Sequence, residues 1–184
     1  MILKYTAGQL LERLEFEPLR DTGNKKRLIF DEKALLSSEG NRFDIIVSNI
    51  SLPLMNDFRG VLSRIHNLLE KDGVFLAAVI GEDSLHELRQ VLSEYISMPM
   101  ISMREAGNIL HQVGFRVPVT ELEKVTVLYK DMFALIRDLK AFKQSGVIGK
   151  QALKEAAKMY KEKFSVPEGY VKASFEVIYL HGIK

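Results

Sequence analysis

An unbroken apolar run from Val74 to Ile80 (VFLAAVI) restricts the fold of this chain more than any other feature. A strand with one solvated face alternates apolar and polar residues. A strand apolar at every position needs cover on both faces, as in the middle of a parallel sheet with helices above and below. The residues ahead of it supply one such helix. Between Asn56 and Glu70, the side chains of Phe58, Val61, Leu62, Ile65, Leu68 and Leu69 share one helical face, and Asn56 or Asp57 is suited to cap its start. Lys71-Asp72-Gly73 then breaks the helix and leads into the apolar run. Two shorter β-rich runs precede this unit, Arg27 to Phe30 and Phe43 to Val47. Strand, helix and strand in that order predict an α/β protein with a parallel sheet.

Beyond Ile80 the signals are helix caps. Ser84-Leu85-His86-Glu87 has the spacing of a capping box and predicts a helix that buries Leu85, Leu88, Val91 and Leu92. Ser102-Met103-Arg104-Glu105 repeats the spacing ahead of Ala106, Ile109, Leu110 and Val113, with Gly114 placed for a left-handed helix end. Strands are predicted at Phe115 to Val119, Val125 to Tyr129 and Ala173 to Leu180, and helices at Asp131 to Ala141 and Lys150 to Phe164. The late strands lie close together in sequence, which predicts an antiparallel C-terminal edge. With 184 residues, 47% of them hydrophobic, and no linker-like stretch, a single domain over residues 1–184 is expected.

Composition removes several classes of function. Lys and Arg number 26 against 24 Asp and Glu, a net charge of +2, so no nucleic acid partner is expected. The absence of Cys excludes disulfides, thiolate nucleophiles and Cys-based metal sites. His66, His86, His111 and His181 have no ligand spacing within a helix, so no metal site is expected. The opening residues, MILKYTAGQLLERLEF, do not form a signal peptide, and no apolar run is long enough for a membrane span. A cytoplasmic location is expected.

Phe43-Asp44-Ile45-Ile46-Val47-Ser48-Asn49 and Leu69-Glu70-Lys71-Asp72-Gly73-Val74-Phe75 resemble the fourth strand, and the turn into the fifth, of class I S-adenosylmethionine-dependent methyltransferases (methyltransferase type 11). Four further segments resemble one subgroup of that family: Ser51 to Asp57, Gly81 to Arg89, Tyr129 to Leu139 and Phe175 to Gly182. The subgroup holds the malonyl-carrier-protein methyltransferase of biotin synthesis and the methyltransferase-like assembly factor of respiratory complex I. The resemblance covers residues 27 to 184. It implies a Rossmann-like sheet, S-adenosylmethionine bound over the strand C-termini, and methyl transfer achieved chiefly by positioning two reactants. The implied acceptors are proteins, a carrier protein or a complex I subunit. The assembly factor is associated with hydroxylating an arginine, which makes an arginine hydroxylase the second reading. A non-catalytic protein-binding module is the third.

The chain departs from the family in its N-terminal half. It lacks the first strand and the Gly-x-Gly-x-Gly loop whose missing side chains let main-chain N–H groups approach the cofactor. Thr6-Ala7-Gly8-Gln9-Leu10-Leu11 stands as a remnant of the helix start, with Gly8 the one glycine left, and Glu15-Phe16-Glu17-Pro18 stands for the second strand. Pro53 and Leu54 replace the pattern's His and Trp, and Glu82 replaces a Gly. A truncated, weakened or inactive methyltransferase is therefore expected, with a sheet incomplete at its N-terminal half. The resemblance places Asp31 near the adenine amino group, the alternative being a plain turn cap. It places Ser48 and Asn49 at the pocket mouth, the alternative being an ordinary polar strand exit. His86 is the general-base candidate by position, or else an exposed helical histidine; other catalytic residues are unassigned. Lys150, Lys154, Lys158 and Lys161 form a basic helix face that either docks an acidic protein or is simply solvated. Loss of the first βαβ unit would leave the strand at Phe43 to Val47 with an unpaired edge, predicting a homodimer or an aggregation-prone monomer. Residues 1–21 offer the alternative cover, with Leu10, Leu11 and Leu14 facing inward.

Overall fold

The computed structural model describes residues 1–15, 26–30, 41–52, 57–93, 99–140 and 149–184. Its elements run α1 (Ile2–Glu15), β1 (Arg27–Phe30), β2 (Phe43–Asn49), α2 (Phe58–Leu68), β3 (Leu69–Ile80), α3 (His86–Arg89), α4 (Met103–Val113), β4 (Arg116–Tyr129), α5 (Met132–Leu139), α6 (Lys150–Phe164) and β5 (Val171–Ile183). The sheet order is β1-β2-β3-β5-β4. β1, β2 and β3 pair in parallel, and β5 lies antiparallel between β3 and β4, so the antiparallel edge forms as expected.

β3 sits at the centre, and its side chains alternate between two apolar cores. Val74, Leu76, Ala78 and Ile80 join residues of α1, α3, α5 and α6 on one face; Phe75, Ala77 and Val79 join residues of α2 and α4 on the other. Each fully buried Val, Leu or Ile contributes about 1.5–3 kcal/mol, which exceeds the ~1–2 kcal/mol of fixing one residue's backbone. The strand starts earlier than its apolar run because α2 stops at Leu68 and Leu69 already pairs with Phe43. The Asp72-Gly73 signal becomes a register shift inside the strand. Asp72 takes a φ of 64°, and a Cβ on Gly73 would lie 2.8 Å from the Glu70 carbonyl oxygen. Among the cap candidates, Asp57 accepts from the Gly60 N–H at 2.8 Å and starts α2. Ser102 caps α4, and Gly114 ends it at a φ of 103°.

The unpaired edge expected of the strand at Phe43 to Val47 is not present. β1 runs alongside it from Arg27↔Ile45 to Phe30↔Ser48, so the backbone groups that would recruit a second chain already have partners. The edge of the sheet among the described residues is β1 instead, and nothing in the structure supports a homodimer. α1 packs on the sheet face over β2 and β3, burying Ile2 and Leu10, with Leu14 partly covered. Leu11 is 62% exposed, against expectation, because a helix turns about 100° per residue and only Leu10 and Leu14 share its inner face. Among the described residues no helix is long and apolar enough to cross a membrane.

Candidate active site at the strand exits

Ligands of open α/β sheets bind beyond the C-terminal ends of the parallel strands. Here that rim consists of the exits of β2 and β3 and of a two-stranded ribbon. Ile80, the last residue of β3, pairs with Val177, whereas β4 and β5 stay paired as far as Tyr129↔Val171. The ribbon therefore projects past the end of β3.

The β3 exit is fastened to the ribbon by its own main chain and two buried side chains. Gly81 N–H donates to the Glu176 carbonyl at 2.8 Å, and Leu85 N–H donates to the Ser174 carbonyl at 2.7 Å. Ser84 is fully buried; its hydroxyl donates to the Glu176 carbonyl at 3.1 Å and accepts from the Glu176 N–H at 2.8 Å. Glu87, also fully buried, accepts from the Ser174 N–H at 2.9 Å and from the Ser174 hydroxyl at 2.6 Å. The expected capping box over Ser84 to Glu87 is therefore a clamp instead. Leu85 takes the N-cap position at a φ of 59° with no side-chain cap, and α3 shrinks to His86–Arg89. The physical reason is that β5 runs on past β3, and its buried main-chain groups there need side-chain partners.

Beside this clamp lies a cleft of about 380 Å³, lined by Asp83, His86, Lys124, Thr126, Ser174 and Glu176. A Cβ on Gly81 would lie 2.2 Å from Glu176 Oε1, so glycine lets this carboxylate reach the strand exit. The His86 side chain is 57% exposed, with Nε2 3.4 Å from Glu87 Oε1. Tyr160 lies buried behind Glu87 and donates to the Lys172 carbonyl at 2.9 Å. Burial, and then the Glu87 charge, push its pKa far up and keep it a neutral donor.

The β2 exit is closed from the other side. Ser48 is fully buried and shares a hydrogen bond with the Ser51 hydroxyl at 2.8 Å. Asn49 Oδ1 accepts from the Thr6 hydroxyl at 2.7 Å, and its Nδ2 donates to the Leu3 carbonyl at 2.9 Å. Ile50 follows at a φ of 58°, its N–H bonded to the Ala78 carbonyl of β3 at 2.8 Å.

No protein-family model matches the chain. It is similar to the mitochondrial arginine-hydroxylase NDUFAF5 of Homo sapiens, at 31% identity over 175 residues, covering 85% of this chain and 50% of that protein. NDUFAF5 of Danio rerio matches at 28% identity over 100% of this chain and 65% of the relative. The malonyl-[acyl-carrier protein] O-methyltransferase of Gallionella capsiferriformans matches at 30% identity, over 78% of this chain and 53% of the relative. The chain thus spans between half and two thirds of the length of these relatives. Among solved structures, YcgJ of Bacillus subtilis superposes with a TM-score of 0.51 at 15% identity, over 97% of this chain and 76% of that one. The Bacillus halodurans protein BH2331, assigned as a methyltransferase, gives 0.53 at 14% identity, over 78% of this chain and 65% of that one. The chain has the class I methyltransferase fold.

Against the pattern of that fold the rim is only partly recognisable. Ser48 and Asn49 stand at the β2 exit, next to the β3 exit. Gly8 does not form a loop; it lies inside α1, where a Cβ would meet nothing within 4 Å beyond its own turn of the helix. Asp31, Pro53 and Leu54 lie outside the described residues, as do Phe16, Glu17 and Pro18, while Glu15 ends α1. Both polar ends of the Asn49 side chain are engaged by α1, and among the described residues no glycine-rich turn approaches it. The described residues do not by themselves fit S-adenosylmethionine. Sequence reasoning missed Thr6 as the partner of Asn49, and Ser174 and Glu176 as the partners of the β3 exit. The one available signal was a pair of polar residues interrupting the apolar strand at Ala173 to Leu180.

Proposed function

We propose that this chain is a methyltransferase-like protein that receives a protein acceptor at the strand-exit rim and, alone, holds S-adenosylmethionine weakly. The observation that carries the proposal is the engagement of Asn49 by Thr6 and Leu3 in a chain without a glycine loop. A protein acceptor is supported by the name of the O-methyltransferase relative, which specifies an acyl-carrier protein. Isothermal titration with S-adenosylmethionine tests it, with no measurable heat expected at micromolar protein. A dissociation constant of about 1 μM, equivalent to about −8 kcal/mol, demands a formed pocket and overturns the proposal. Where residual binding is found, Asn49→Ala and Asp31→Ala should weaken it; unchanged affinity removes those residues from the site.

The second reading, seating of an arginine side chain, is favoured by the carboxylates of Asp83 and Glu176 on the β3-exit cleft. Carboxylates bind guanidinium through paired, charge-assisted hydrogen bonds. An arginine peptide that binds, and is weakened by Glu176→Gln, supports this reading; indifference to that variant opposes it. A cytoplasmic location is part of the proposal, set against relatives that are mitochondrial by name, and cell fractionation tests it.

A further inference from the structure

A second cleft, of about 850 Å³, opens at the far tip of the β4–β5 ribbon. Lys130 to Phe133, leaving β4, meet α6 at Ala157 to Lys161 and the turn from Glu168 into β5. Phe133 and Tyr170 form an apolar wall and are 39% and 43% exposed. Lys130, Lys158 and Lys161 stand around them. Among the described residues neither Lys130 nor Lys161 has an ion-pair partner, and Lys158 reaches Glu162 only at 3.9 Å. Two acids share the lining, in unequal condition. Asp131 is committed to α5, its Oδ1 accepting from the Ala134 N–H at 2.7 Å. Glu168 has no such partner among the described residues and is exposed.

Half-exposed aromatic surface ringed by three cations, two of them without an ion-pair partner among the described residues, matches the anatomy of a protein-docking spot: an apolar anchor seat within a polar rim. The cations set the sign of what docks, since opposite charge steers encounter and like charge repels. A nucleic acid would need a longer basic track to gather several phosphates, and the chain's net charge is only +2.

We infer that this cleft docks a short acidic segment, bearing an aromatic or large apolar side chain, of the protein acceptor. The inference rests on the reading that the acceptor is a protein. It adds a distance: from Val177, opposite the end of β3, to Val171 at the cleft is six residues of β5, or about 20 Å. The docked segment therefore lies about six extended residues from the acceptor residue held at the β3 exit.

Fluorescence anisotropy with a fluorescein-labelled Glu-Glu-Phe-Glu-Glu peptide tests the inference on the full chain. Binding is expected to weaken about tenfold with Lys161→Glu and with Tyr170→Ala, and to tighten about twofold with Glu168→Gln, which removes one of the two opposing charges. It should also weaken between about 50 mM and 200 mM salt. All these side chains are exposed, so thermal melts should match the wild type, and any variant that melts early is replaced by Lys130→Glu. Three results overturn the inference: no binding, equal binding of the Gln-Gln-Phe-Gln-Gln peptide, or tighter binding of a short oligothymidylate. The peptide titration needs no cofactor, so its failure and a failure of the S-adenosylmethionine proposal are separately visible.

Discussion

Ser84 distinguishes a clamp from a helix cap. Its buried hydroxyl holds both main-chain groups of Glu176, donating to the carbonyl and accepting from the N–H. In Ser84→Ala the Glu176 carbonyl keeps the Gly81 N–H at 2.8 Å, whereas the Glu176 N–H is left buried with no acceptor. One orphaned donor of this kind costs about 1–3 kcal/mol. A loss of ~2 kcal/mol is therefore expected in guanidinium melts followed by circular dichroism, or about 4–8 °C in Tm for a chain of this size. Ser84→Asp is the sharper variant. Aspartate caps helices as well as serine does, so a cap would be preserved by it. A clamp would not: an ionised carboxylate cannot donate to the Glu176 carbonyl, and it enters a buried site that already holds the Glu87 carboxylate. Ser84→Asp should thus be less stable than Ser84→Ala. Wild-type stability in Ser84→Asp, or a loss below about 0.5 kcal/mol in Ser84→Ala, would refute the clamp.

Two other consequences concern packing and pH. A Cβ on Gly182 would lie 2.8 Å from the Phe115 ring, which stacks on Phe75 at 5.4 Å and meets the edge of His66 at 5.0 Å. With the ring held from both sides, Gly182→Ala should lose about 1–3 kcal/mol; an unchanged urea midpoint would show that the ring yields. Burial, aided by hydrogen bonds to Asp138 and Glu123, raises the pKa values of Tyr129 and Tyr179 well above the ordinary 10.0. The folded state thus holds these protons more tightly than the unfolded one, so their contribution to stability is complete below pH 10 and lost as pH rises above it. Ultraviolet titration should show both tyrosines ionising only with unfolding, and all six tyrosines titrating near pH 10 in folded protein would contradict this.

Much of the architecture was legible because its signals are local. Alternate residues of VFLAAVI reach two separate cores, and the helix read at Lys150 to Phe164 has those bounds in the structure. The strand exit at Ser48-Asn49 was legible from the order of motifs around it. Its chemistry was not, because Asn49 is engaged by Thr6 and Leu3, more than forty positions away in sequence. The edge of β2 was misjudged for a similar reason. Only the fold shows that Arg27–Phe30 lies directly along β2 and fills its edge.

The same four-residue spacing occurs at Ser84–Glu87 and at Ser102–Glu105, with opposite outcomes. Ser102 caps its own helix, accepting from the Glu105 N–H at 3.2 Å. Ser84 turns instead to Glu176, 92 positions further on. By itself the sequence determined which segments could be helix or strand, because the periods of 3.6 and 2 are properties of neighbouring residues. The tertiary structure decided which polar groups met. A serine serves whichever buried donor lacks an acceptor, and at the β3 exit that donor belongs to a strand running on past its neighbour.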